Sequence, residues 1–302
     1  MANTLSAFGF SQYSGTGSSP TYEQVRMAIK NGNTTPIFFG DPVIQATGTT
    51  GLGTGYITQA PVPAVLTISG GTLTAGVLTV TFGATTAPPV GSTIVIYGGT
   101  STAATANGSW LVTASTTTTA SFVFPGSYTT GTASAVIFTP IAGIFVGCAY
   151  QSVAQKHIVW SRYWPGTSDS NGDITAYVVN DPNAQWAVQT ANSNTTSTAV
   201  GFANVGQNIG FNYNTSGGSL VNGNTSTGNS TYFADQYTLG ANFPTGYQGQ
   251  PSMPFRIIGL QNSSAGGGST ALSGINGYDP TTAFNNIIVG FNNMMLKQLS
   301  GI

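Results

Sequence analysis

Hydrophobic and polar residues alternate in many short runs of this chain, and a period of two is typical of β-strands with one buried face. Turn-forming residues separate the runs, and the chain contains 41 Gly and 15 Pro. Short strands at close spacing favour a sandwich or barrel over alternating strands and helices. We therefore predict an all-β fold, with strands at residues 37–39, 65–68, 77–82, 94–97, 110–113, 121–124, 135–138, 142–150, 158–160, 176–179, 185–189, 255–260 and 287–291.

One segment near the start of the chain has a helical pattern. In residues 22–30 (YEQVRMAIK), Val25 and Ile29 are spaced to share one face of a helix. Glu23 near its start and Lys30 at its end would suit the helix dipole. We predict one short N-terminal helix there, and a second short helix or a strand at residues 293–299.

The distribution of charge divides the chain. Residues 61–140 contain no Lys, Arg, Asp, Glu or His, yet they include six or so predicted strands. A segment of this length and pattern can form a small sandwich of its own. We predict a β-sandwich at 61–140, inserted into a host domain made of residues 1–60 and 141–302.

A region rich in Asn, Thr, Ser and Gly follows at residues 192–231. Its composition fits either long exposed loops or a flat polar surface, and the sequence leaves both open. Long loops of this kind are usually functional contacts or mobile segments.

Ionisable residues are unusually rare. Charged residues are 4% of the chain, against about 25% in an average protein. Six Lys and Arg cannot build the basic patch that binding to nucleic acid requires. Neutral hydroxyl and amide groups cost less to desolvate than ions do, so this surface suits broad contact with other protein subunits.

Few residues suit catalysis. His157 is the single histidine and Cys148 the single cysteine, and neither has a local catalytic signature. We expect His157 in an exposed turn and Cys148 buried as a small hydrophobic residue. We also expect no secretory signal and no membrane span, because neither an N-terminal apolar region nor a run of 18 apolar residues is present.

The acidic residues allow two kinds of site. Residues 169–173 (DSNGD) place oxygens as calcium loops do, but Ile174 and Asn180 replace the glycine and glutamate of such loops. A polar turn is therefore favoured there. Carboxylate pairs for glycoside hydrolysis could come from Asp173, Asp181, Asp235 and Asp279.

Turn formation is the simpler role for several of these acids. Asp41, Asp181 and Asp279 each precede a proline, a position that favours extended or turn geometry. The glycine-rich runs at 51–55 and 266–268 lack a following helix or P-loop lysine, so we interpret both as flexible turns. We therefore expect no catalytic, cofactor-binding or metal-binding residues.

Three aromatic residues cluster at Trp160, Tyr163 and Trp164. An aromatic platform of this kind can stack on sugars. Packing in the core or at a protein interface is the favoured interpretation.

Several segments resemble a known family of virus proteins. The opening residues 1–10 and the segment at 37–43 carry part of the resemblance, and the other matching segments are 143–150, 163–166, 181–189, 255–260 and 289–293. In order and spacing they are similar to the capsid cement or decoration proteins of tailed-bacteriophage heads. Residues 88–94 and 107–113, with the Thr-rich strands that follow, resemble small immunoglobulin-like modules of phage virion proteins.

The resemblance implies a function. A β-barrel or tulip-like host domain would lie on the capsid exterior over junctions between major capsid protein subunits, with the immunoglobulin-like insert protruding. The family implies binding to the major capsid protein and no catalytic residues, and we predict a homotrimer that binds neither nucleic acid nor membrane. The alternatives are a carbohydrate-binding head fibre or adhesin and, from a third class, a glycosidase.

Overall fold

The structure is a computed structural model. It describes residues 3–15, 23–48, 51–63, 65–83, 88, 90–97, 106–128, 131–193, 196–213, 223–239, 252–261 and 276–297. Strands make up 50% of it and helices 4%. The prediction of an all-β fold is confirmed.

The strands are short and follow one another closely. In chain order they are β1 (Ser11–Ser14), β2 (Val25–Ile29), β3 (Pro42–Gly48), β4 (Gly51–Gln59), β5 (Val65–Thr74), β6 (Val77–Phe82), β7 (Thr93–Tyr97), β8 (Gly108–Leu111), β9 (Ala114–Ser115), β10 (Thr119–Val123), β11 (Ala133–Phe138), β12 (Gly143–Gln151), β13 (Ile158–Ser161), β14 (Ile174–Val179), β15 (Gln185–Ala191), β16 (Asn208–Tyr213), β17 (Gly223–Asn224), β18 (Asn229–Ser230), β19 (Tyr232–Asp235), β20 (Phe255–Leu260) and β21 (Asn286–Phe291). Three short 3-10 helices lie among the described residues, at Phe202–Asn204, Gln236–Thr238 and Met295–Lys297.

The host strands close into two five-stranded barrels. The first barrel runs β12-β14-β2-β4-β3 and back to β12, and β13 extends it as an extra strand beside β12. The second barrel runs β15-β19-β16-β20-β21 and back to β15, with β1 added beside β15. Trp164 and Trp186 are fully buried in the cores of the first and second barrels. The predicted host β-barrel is confirmed, as two closed barrels.

Gly143 lies where the first barrel closes. It pairs with Val43 of β3, and the adjacent Ile144 pairs with Val179 of β14. A Cβ atom at position 143 would lie 2.5 Å from Cγ1 of Val178 and 2.6 Å from the carbonyl oxygen of Val179. Both distances are far below van der Waals contact, so only glycine fits there.

Replacing Gly143 with alanine should therefore destabilise the fold. We expect Gly143→Ala to lower the free energy of unfolding by about 3 kcal/mol, because the backbone at Val179 cannot move without opening the barrel. Gly259→Ala is a matched control, since a Cβ atom there meets nothing within 4 Å. Urea denaturation of both variants measures the effect, and equal losses would contradict the steric explanation.

The insert is one curled sheet. Its strands are hydrogen-bonded in the order β8-β7-β11-β5-β6-β10-β9. Val112, between β8 and β9, donates its N–H to the Ser92 carbonyl at 3.0 Å, and Thr113 donates to the Ser121 carbonyl at 2.8 Å. The segment that joins the two outer strands, β8 and β9, is therefore hydrogen-bonded to both sides of the same sheet. The immunoglobulin-like sandwich, which requires two separate facing sheets, is not confirmed.

Within the described residues, every strand of 65–138 pairs only with other strands of that segment. Val65 in the first of these strands is the pairing partner of Val136 in the last. On the host side, Met253 packs against a cluster of insert residues that includes Tyr97 and Phe138. The domain boundaries at residues 61 and 140 stay a prediction.

The predicted N-terminal helix is wrong. Residue 22 lies outside the described residues, and Val25–Ile29 is strand β2, which pairs antiparallel with β14. Positions four apart share a face in a helix and also in a strand, so Val25 and Ile29 fit both periods. Pairing with β14, which buries Ile29, selects the strand.

Other segments also differ from the sequence prediction. Part of the polar region at 192–231 forms β16, whose Ile209 and Phe211 are buried in the second barrel. The glycine run at 51–55 begins strand β4 and is not a flexible turn, whereas 266–268 lies outside the described residues. Residues 37–39 form isolated bridges only. Of the predicted helix or strand at 293–299, the described part forms a 3-10 turn at Met295–Lys297, and residues 298 and 299 lie outside the described residues.

Candidate interaction surface

His157 and Cys148 have separate surroundings. The Nδ1 atom of His157 lies 3.0 Å from the carbonyl oxygen of Gln155 in an exposed turn. Cys148 is buried in the core of the first barrel, and burial raises the pKa of its thiol to about 12. A thiol with such a pKa holds its proton at neutral pH, so it is not an activated nucleophile.

The acids of the calcium-like segment bind different parts of the protein. Asp169 accepts hydrogen bonds from the Ser152 hydroxyl at 2.6 Å and from the Ala154 N–H at 2.7 Å. Asp173 accepts from the Asn31 N–H at 3.0 Å and from the Tyr56 hydroxyl at 2.9 Å. These bonds lower the pKa of both carboxyls. Both acids hold neighbouring segments in place.

The other candidate carboxylates also have their own donors. Asp181 accepts the Asn183 N–H at 2.9 Å, and Asp279 accepts the Thr281 N–H at 2.9 Å and its hydroxyl at 2.6 Å. Asp235 is buried and accepts bonds from Ser193 and Tyr237, while burial raises its pKa. In the part of the chain that the structure describes, no three His, Cys, Asp or Glu side chains are placed to hold a metal ion.

Asp41 is a fully buried carboxyl at the start of β3. Its Oδ2 atom accepts the Phe38 N–H at 2.8 Å and the Gln59 amide at 2.6 Å. Its Oδ1 atom lacks a partner with good hydrogen-bond geometry, although the nearby Ser230 hydroxyl offsets part of the cost of burial. Burial dominates and raises the pKa of Asp41 to about 7. The adjacent Gly40 accepts the Phe10 N–H, so this carboxyl lies where the first barrel meets β1.

The three clustered aromatic residues separate in the structure. Trp164 is fully buried and donates its indole N–H to the Asn33 carbonyl at 3.1 Å. Tyr163 is half-buried and stacks on Phe38 at 5.3 Å between ring centroids. Trp160 is 69% exposed. Trp164 therefore packs in the core, and Trp160 is free to contact a partner.

Trp160 lies on an edge strand. Among the strands that the structure describes, β13 pairs only with β12, so its other side is an edge of the sheet. Ile158 is 60% exposed on the same face of β13, and Trp160 stacks on Tyr177 of β14 at 5.6 Å. We call Ile158, Trp160 and Tyr177 the Trp160 surface. An exposed tryptophan supported by a second ring is the kind of residue that dominates binding energy at protein interfaces.

A basic pair was not predicted from the sequence. Arg256 of β20 and Lys297 of the last 3-10 helix both line a cavity of about 600 Å³ on the second barrel. The two residues are distant in sequence, and no motif connects them. The pairing of β20 with β21, followed by the short 3-10 helix, brings them together.

None of the helices in the described ranges has the length and hydrophobicity to cross a membrane. Comparisons of the chain with protein-family models, with curated proteins and with solved structures found no match.

Proposed function

We propose that this chain is a non-enzymatic structural protein of a bacteriophage head, which binds the outside of the capsid and cements the lattice of major capsid protein subunits. The observation that carries the proposal is the Trp160 surface, an exposed aromatic and aliphatic patch on an edge strand. The chain as a whole has only 6 Lys and Arg and 7 Asp and Glu, so a broad interface around this patch dehydrates few ions. Two of these ions lie beside the patch, since Arg26 pairs with Tyr177 and Arg162 follows β13.

The edge of β13 supplies two kinds of contact. Its outward N–H and C=O groups can pair with an extended segment of a neighbouring subunit. The Trp160 and Ile158 side chains can fill apolar pockets on the same neighbour. Backbone pairing would fix the orientation of the two proteins, and the aromatic contact would supply most of the affinity.

Cementing requires a difference in affinity between two states of the shell. A protein that binds the expanded lattice but not dissociated subunits stabilises the lattice by mass action. Contacts with several subunits, as expected for the predicted homotrimer, would multiply weak individual affinities. The shell would then resist the internal pressure of the packaged genome.

Replacing Trp160 with alanine should remove most of the binding. We expect Trp160→Ala to weaken binding to expanded capsids by about 2 kcal/mol or more, because a buried interface tryptophan is typically a hot spot. Sedimentation of labelled protein with purified capsids that lack it measures the affinity. Phe202→Ala is the matched control, because Phe202 is a comparably exposed aromatic residue, at 60%, on a different part of the protein.

Two outcomes would contradict the proposal. Wild-type protein that does not sediment with capsids would exclude capsid binding. Equal losses of affinity for Trp160→Ala and Phe202→Ala would show that the Trp160 surface is not the contact site.

A carbohydrate-binding adhesin is the second candidate, and one observation favours it. The outer face of the exposed Trp160 ring, backed by Tyr177 at an interplanar angle of 16°, is a flat platform on which a sugar ring can stack. A glycan array probed with the full chain distinguishes the two functions. Binding that Trp160→Ala abolishes would support adhesion, and no binding would favour capsid decoration.

A further inference from the structure

The cavity beside Arg256 and Lys297 concentrates positive charge in a chain that has little. It contains two of the protein's 6 basic residues. Three amides also line it, Asn183, Gln185 and Asn292, beside apolar contacts that include Ile258 and Phe291. Neutral donors and two cations in one concave site are suited to a negatively charged group.

Both cations are held in position by neutral acceptors. Arg256 donates through Nε to Oδ1 of Asn208 at 3.1 Å and through Nη2 to Oδ1 of Asn292 at 3.3 Å. Lys297 donates through Nζ to the carbonyl oxygen of Phe291 at 2.6 Å. These bonds fix the geometry of the two groups, and their neutral acceptors do not cancel the positive charges.

The two cations also repel each other. Partial burial lowers the pKa of the Lys297 ammonium, the positive charge of Arg256 lowers it further, and Asp181 opposes both effects. Two cations and one carboxylate give this site a net charge of +1. One additional negative charge would neutralise it.

We propose that this cavity receives a single carboxylate side chain, Asp or Glu, from an acidic segment of the capsid subunit that this protein decorates. The identity of the partner rests on the proposed function. A carboxylate fits because its single charge matches the net charge of +1, whereas a phosphate monoester carries about −2 and exceeds it. The half-exposed Ile258 at 44% and the neighbouring Pro182 would contact the methylene groups of the entering segment.

The first test uses the isolated protein and short peptides. The probe is acetyl-Gly-Ser-Glu-Glu-Ser-Gly-amide, and the matched peptide has Gln in place of both Glu residues. NMR titration that follows the Arg256 Nε–H signal should show binding of the acidic peptide about tenfold tighter than of the neutral one, with the signal of Arg26 unchanged. Equal binding of the two peptides, or no shift of Arg256, would overturn the proposal.

The second test uses capsids and a double variant. Arg256→Gln with Lys297→Gln should reduce capsid affinity about tenfold and make it less sensitive to ionic strength, because screened charge pairs are lost. Lys30→Gln is the control for Lys297→Gln alone, since it removes one exposed lysine that does not pair with a residue of the Trp160 surface. The double variant and both single variants should unfold at the same urea concentration as wild type, and Lys297→Gln alone is the fallback if the double variant does not fold.

The capsid-binding results distinguish failure of the carboxylate-site proposal from failure of the proposed function. If wild type binds capsids and the Arg256 and Lys297 variant binds equally well, the cavity is not the contact and capsid decoration stands. If wild type does not bind capsids, the proposed function fails, and with it the capsid subunit as the source of the carboxylate. Loss of affinity in the Arg256 and Lys297 variant, with none in the control, supports the inference.

Discussion

At pH 8, the Asp41→Asn variant is expected to be more stable than the wild-type protein by about 4 kcal/mol. The pKa of Asp41 is about 7 in the folded protein, against an ordinary value of 3.8. Between pH 3.8 and about pH 7, Asp41 keeps its proton in the folded protein but has lost it in the unfolded chain. The free energy of unfolding of the wild type therefore falls as the pH rises through this range, and above pH 7 this group changes it no further. An asparagine, which has no charge, avoids this loss and can still accept the bonds from Phe38 and Gln59.

Urea denaturation of both proteins at several pH values between 4 and 8 tests this expectation. The difference between them should be greatest at pH 8 and shrink toward pH 4, where Asp41 is protonated. Asp169→Asn is the control with the opposite sign, because its hydrogen bonds lower the pKa of that exposed carboxyl and its stabilisation is lost as pH falls. A difference between wild type and Asp41→Asn that does not depend on pH would show that Asp41 is not a buried, protonatable group.

The second large effect concerns Trp164. Trp164→Ala should lower the free energy of unfolding by about 3–5 kcal/mol, since it removes a fully buried ring and leaves a cavity. It also leaves the Asn33 carbonyl without the indole N–H donor, and it removes an edge-to-face contact with Tyr150 at 5.3 Å.

Trp160→Ala is the matched control for this stability measurement. Trp160 is exposed and contacts Tyr177, so its replacement should cost at most about 1 kcal/mol of stability. Urea denaturation should therefore show the larger loss for Trp164→Ala, whereas Trp160→Ala is the variant expected to lose affinity in the capsid-binding experiment. Similar stability losses for Trp160→Ala and Trp164→Ala would contradict their assignment to surface and core.

The sequence did not distinguish these two tryptophans, and the reason is geometric. Both lie in the same aromatic segment, and a period of two does not say which face of a strand points inward. The chain turns at Arg162 after β13 ends, so Trp164 enters the core while Trp160 stays on the outer face. The backbone bridge between Trp164 and Ile37 holds Trp164 at the first barrel, where its ring is buried in the core.

Most strands could be predicted because their alternation is local. Val77–Phe82 and Phe255–Leu260 have the bounds that the sequence indicates. β2 was predicted incorrectly because a spacing of four suits both a helix and a strand, and the pairing with β14 that decides between them comes from distant residues. Strand β16 lies in a polar region, where its two core residues, Ile209 and Phe211, are too few to give a clear pattern.

The candidate sites were harder to predict than the fold. Scarcity of charge indicated a surface suited to assembly, but it did not indicate the Trp160 surface, which carries the proposed function. The meeting of Arg256 with Lys297 could not be predicted, because it depends on how β20, β21 and the final 3-10 helix are arranged. The same holds for the burial of Asp41, which the sequence indicated only as a turn residue before proline.

The way the insert joins the host has a practical consequence. Because Val65 and Val136 are paired neighbours, the chain leaves the host and returns to it at almost the same point. A foreign domain whose ends are equally close could replace the insert at little cost in loop-closure entropy, provided that it also covers Met253. If the host binds capsids as proposed, this junction would be an attachment point for displaying peptides or enzymes on the particle surface.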